Sequence, residues 1–122
     1  MKKIVFARIA LFTVFFWFGI LKVFGQSPAS PLVKSLLKET LPFISPGTFL
    51  VLFGIFEVII GILFLIPRYK KVTLIFFYLH MIATTLPLFL LSDKAWEGLF
   101  VPTLEGQYII KNIVLIALSF FL

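Results

Sequence analysis

The chain has 122 residues, 61% of them hydrophobic and only 13% charged, with a mean hydropathy of +1.17. A soluble domain is just under half apolar and about a quarter charged, and so small a domain leaves too much surface to hide this many Phe, Leu and Ile side chains, so a soluble globular protein is excluded. The formal net charge of +6 must be read against membrane topology before nucleic acid is considered, and the lack of cysteine excludes disulfides, thiol redox chemistry, iron–sulfur clusters and thioether-linked haem on this chain.

Four apolar stretches approach the ~20 residues that a helix needs to cross ~30 Å of hydrocarbon. They run from about Ile4 to Gly25, Thr48 to Ile66, Val72 to Leu91 and Gly106 to Leu122. Strands would alternate and would span in about ten residues; these runs are apolar on every side, so the spacing predicts helices. Lys2 and Lys3 ahead of the first run also describe a signal peptide, but the run is too long, Arg8 and Lys22 interrupt it, and no small-x-small cleavage site follows. The expectation is an uncleaved first span. Between spans one and two, Pro28, Pro31, Pro42 and Pro46 punctuate the chain, while Leu32, Val33, Leu36 and Leu37 recur at helical spacing. That pattern predicts a short interfacial helix. Arg68, Tyr69, Lys70 and Lys71 form a tight basic turn, and Ser92 to Glu105 forms the last connection, with Trp96 as an interfacial anchor. The fold class expected is all-α: one integral membrane domain over residues 1–122, built as a four-transmembrane-helix bundle.

With four spans, the N-terminus, the basic turn and the C-terminus share one side, which holds Lys2, Lys3, Arg68, Lys70 and Lys71. The other side offsets Lys34, Lys38 and Lys94 with Glu39, Asp93, Glu97 and Glu105. The excess of Lys and Arg places both termini in the cytoplasm. Topology thus accounts for most of the basicity, and no nucleic-acid partner is expected.

An ionisable group within a span must snorkel, pair or face a wet cavity. Arg8 lies one turn inside span one, where snorkelling is the simplest expectation. Glu57 lies near the middle of span two and must be paired or protonated. Helical spacing puts Arg8, Phe12, Phe15, Gly19 and Lys22 on one stripe; Gly54, Glu57 and Gly61 on another; Thr73, Phe77, His80, Thr84 and Pro87 on a third; and Gln107, Lys111, Leu115 and Leu118 on a fourth, beside Tyr108 and Asn112. Turned inward, these stripes give a polar cluster of Lys22, Glu57, His80, Gln107, Lys111 and Asn112. The surplus of cations over carboxylate suits a quinone carbonyl or a small anion. The same charges also describe a buried ion pair that only fixes helix register. One histidine and one carboxylate are too few for a metal site.

These residues resemble the DoxX-like superfamily of small four-span membrane proteins, most closely its reactive-chlorine-resistance branch. The likeness rests on Arg8, on Trp17-Phe18-Gly19-Ile20-Leu21-Lys22, on the Ser-Pro connection that follows, on Gly54-Ile55-Phe56-Glu57 with Gly61, and on Gly106-Gln107-Tyr108-Ile109-Ile110-Lys111-Asn112. It implies a bundle in the bacterial inner membrane, with Lys22, Glu57, Lys111 and Asn112 as functional positions; His80 is not carried by it. Members are linked to thiosulfate:quinone oxidoreductase subunits, to oxidative-stress complexes and, in a distant animal branch, to receptor-assembly chaperones. Without cysteine, a sulfur-oxidising role would need a partner subunit. The expected function is an accessory to quinone-linked redox or oxidative-stress systems, with a quinone as the cofactor its polar cluster suits. By itself the chain is expected not to be an enzyme, and at most to be a subunit of a quinone-linked oxidoreductase. The expected partners are the lipid bilayer and either a second copy or a larger redox membrane complex. The alternatives are a non-catalytic assembly subunit and, ranked last, a proton-coupled transporter, for which no inverted repeat of broken helices and no second carboxylate stand out.

Overall fold

In the computed structural model, which describes residues 2–25 and 30–122, the chain is mostly helical. Pro28, expected to punctuate the first connection, lies outside the described residues. Three helices are long and apolar enough to cross a membrane: α1 (Lys2–Val23), α3 (Pro46–Phe64) and a third from Pro67 to Leu90. The third is composite, with a 3-10 turn at Pro67–Tyr69, then α4 (Lys70–Thr85), then α5 (Pro87–Leu90). Pro87 has no N–H to continue the ladder, and the turn tightens, with Leu86 N–H donating to the Ala83 carbonyl.

Helix α1 packs antiparallel on α3 at a close helix crossing. Glycine is the cause. A Cβ on Gly19 would meet the Gly54 carbonyl oxygen at 2.6 Å, and one on Gly54 would meet the Gly19 carbonyl oxygen at 2.6 Å. Among apolar helices in lipid, such small-residue contacts let backbones approach and supply the van der Waals attraction that hydrophobicity cannot. The core below the crossing is Leu11, Phe15, Ile60, Phe64, Phe77 and Met81, with Tyr78, Leu115 and Leu118 packed around it.

Helix α2 (Ser30–Thr40) is the short helix expected between the first two spans. Leu37 is buried while Lys34, Lys38 and Glu39 are exposed, so the helix is amphipathic as its spacing predicts. Two segments differ from expectation. The last connection contains α6 (Ser92–Ala95) and a small antiparallel hairpin, β1 (Trp96–Gly98) with β2 (Val101–Pro102). Its tip requires a left-handed residue, supplied by Phe100 with φ 62°. Trp96 is half-buried, its indole N–H donating to the Leu88 carbonyl at 3.0 Å, so it ties the hairpin to the end of α5.

The second difference is the fourth apolar stretch. It forms α7 (Leu104–Ile110) and α8 (Asn112–Ser119), interrupted at Lys111. Thr103 caps α7, its hydroxyl accepting from Gly106 N–H at 3.0 Å. At ~1.5 Å per residue the apolar stretch Gly106–Ser119 is shorter than the other three. It nevertheless packs across the bundle, antiparallel to α4, through Tyr78–Ser119 (3.1 Å) and Asn112–Thr84 (3.3 Å), and onto α1 where Phe18 meets Tyr108.

Candidate functional site

Lys22 stands in the last turn of α1, where a cation complements the carbonyl end of the helix. The close crossing lays its stem over Gly54, since a Cβ there would lie 2.8 Å from Lys22 Cβ. Glu57 sits three residues further along α3, on the face that Gly54 opens. The Lys22 ammonium therefore reaches Glu57 Oε1 at 2.7 Å. From the opposite side α4 presents His80, whose Nε2 lies 2.8 Å from Glu57 Oε2. All three side chains are buried. Three helices thus converge on one carboxylate.

Chemistry fixes the direction of the His80–Glu57 bond. A carboxylate paired with an ammonium is ionised and only accepts, so His80 donates its Nε2–H to Glu57. In a neutral imidazole the other nitrogen is then a bare acceptor. His80 Nδ1 is buried and has no hydrogen-bond partner among the described residues. Around the imidazole, Phe53 stacks nearly parallel (4.8 Å between centroids, 10°), Phe15 meets it edge-on at 4.9 Å, and Phe56 lies at 6.3 Å. The result is an oriented imidazole between flat aromatic walls, with Nδ1 buried and unpartnered among the described residues.

The other three residues expected in the cluster are placed differently. Asn112 is one step away: its amide donates to the Thr84 hydroxyl, which lies 3.0 Å from the His80 carbonyl oxygen. Lys111 is half-buried with its ammonium over the rings of Tyr108 (4.4 Å) and Phe18 (5.0 Å), an aromatic setting in place of the expected contact with Glu57. Gln107 is exposed. The break at Lys111 is the physical reason, because a face read off a continuous helix does not survive an interruption. Arg8 is another departure. It is buried, and rather than snorkelling it donates from Nη1 to the Phe64 carbonyl at 2.8 Å, satisfying an orphan acceptor at the end of α3. Thr84 and the Phe15–Phe53 walls were not singled out as site residues by sequence; Thr84 does share the stripe of His80, which was the available signal.

Among the described residues no group of three or more His, Cys, Asp or Glu side chains could hold a metal ion. The chain matches no family model, no curated protein and no solved structure in the three comparisons made.

Proposed function

We propose that the chain is a four-span protein of the bacterial inner membrane, DoxX-like in kind, that serves a quinone-linked redox or oxidative-stress system as an accessory and holds a quinone headgroup or small anion at the Lys22–Glu57–His80 site. The observation that carries this reading is His80 Nδ1: a buried acceptor with no partner, behind a carboxylate that a lysine keeps ionised. The donor set fits a quinone in either redox state. With Nε2–H committed to Glu57, a neutral imidazole would accept at Nδ1 from a quinol hydroxyl, and a protonated one would donate from Nδ1 to a quinone carbonyl oxygen. A bound quinone would supply the electron chemistry, and the residues here hold the proton. Glu57 orients the imidazole and balances its charge, and Lys22 keeps Glu57 charged when His80 is neutral. The phenylalanine rings exclude water from the site.

The fourth span is supported by the packing of α7 and α8 across α4 and α1, and by the apolar sequence that runs on to Leu122. The orientation with both termini cytoplasmic, and the seating of α2 at the outer interface, are supported by the basic residues at the opposite end. The test is quinone retention. Protein extracted with its lipids should carry a quinone that a His80→Phe variant of matched thermal stability loses.

A second reading, an assembly subunit docking a larger complex, is favoured by Trp17. This residue is 63% exposed on the face of α1 away from Gly19 and Lys22, well below the headgroup level where Trp is usually enriched. A stoichiometric partner surviving gentle-detergent purification, with no quinone, would favour it.

A further inference from the structure

The charge of this chain is unevenly distributed along the bundle. No Asp or Glu occurs between Met1 and Lys38 or between Val58 and Ser92. The acidic residues Glu39, Glu57, Asp93, Glu97 and Glu105 are offset in number by Lys22, Lys34, Lys38, Lys94 and Lys111, so the net +6 belongs to Lys2, Lys3, Arg8, Arg68, Lys70 and Lys71. The fold gathers these six at one end. The Arg8–Phe64 bond fixes the start of α1 beside the end of α3, and the short turn Pro67–Tyr69 joins that end directly to the start of α4. Arg8 is consumed as a cap; the other five cations are exposed.

Their surroundings define what they meet. Directly next to them, Val5, Phe6, Leu65, Val72 and Ile75 are exposed apolar side chains, which marks the edge of the hydrocarbon. Tyr69, 46% exposed with the Arg68 guanidinium 5.8 Å from its ring centroid, has the amphipathic character of a boundary residue. Cations on the rim of an apolar belt lie at the level of lipid phosphates. We infer that this end is a binding surface for anionic phospholipid headgroups, bridged between Lys2 and Lys3 on α1 and Arg68, Lys70 and Lys71 on the α3–α4 turn. Each cluster alone holds few charges, and the Arg8 bond keeps the two helix ends that carry them side by side.

Native mass spectrometry of the full chain, equilibrated in micelles with equal phosphatidylglycerol and phosphatidylcholine, tests this. At the strength usual for a juxtamembrane Lys or Arg, retention should favour phosphatidylglycerol by at least about fivefold. K2Q/K3Q and R68Q/K70Q/K71Q should each reduce that preference, and excess inorganic phosphate should not abolish it. Equal retention of the two lipids by the unaltered chain would overturn the inference whatever the variants do. Complete displacement by inorganic phosphate would overturn it as well, because the surface would then read a soluble anion.

Discussion

Glu57 is the residue on which the site depends, since it is the shared partner of two bases from two other helices. Removing its charge leaves a buried ammonium unpaired, and breaking a buried pair from one side costs ~3–5 kcal/mol. Glu57→Gln should therefore lower the thermal midpoint in detergent by several degrees. A Lys22→Met/Glu57→Gln double variant should recover part of that loss, since the two sites couple by ~0.5–3 kcal/mol; additive losses would show that the pair is not formed. Arg8→Met tests a different contact. It orphans the Phe64 carbonyl and should cost ~1–3 kcal/mol in thermal unfolding, whereas a snorkelling arginine would be replaced at little cost. At this scale the sequence was legible where lipid made a charge intolerable: Lys22, Glu57 and His80 each demanded a partner, and they are one another's partners. Arg8 was not legible, because its partner is a backbone carbonyl, which leaves no signature in side-chain identities.

Among the elements, the α1–α3 crossing is tightly constrained. Gly54→Val would place side-chain atoms where the Gly19 carbonyl and the Lys22 stem already sit. The crossing must open, and Lys22 must retreat from Glu57. Cysteine pairs placed across the two helices near Gly19 and Gly54 should cross-link readily in the parent background and lose most of that efficiency with Gly54→Val; unchanged cross-linking would contradict the close approach. Apolar runs announced α1, α3 and the helix through α4 and α5, and amphipathic spacing announced α2. The hairpin over residues 96–102 was not readable, because two strands of three and two residues show no alternation. The interruption at Lys111 was equally hidden, since neither glycine nor proline marks it, and with it went the expected inward faces of Gln107 and Lys111. Asn112 still reaches α4 because it begins the helix after the break.

For the whole molecule, three helices are long and apolar enough to cross a membrane, and the proposed fourth crossing rests on the packing of α7 and α8 across α4 and α1. Reporter fusions at Leu122 and within the hairpin should report opposite sides, with the C-terminal fusion cytoplasmic; both on one side would leave three spans. The role proposed for His80 requires a ligand with a hydroxyl or carbonyl to reach it, which makes ligand retention the decisive property. The most direct measurement is the quinone content of the lipid-extracted protein, quantified by mass spectrometry for the parent chain and for His80→Phe at matched thermal stability. The account predicts near-stoichiometric quinone in the parent and a loss of most of it in the variant. Equal quinone in both, or none in the parent, would contradict it.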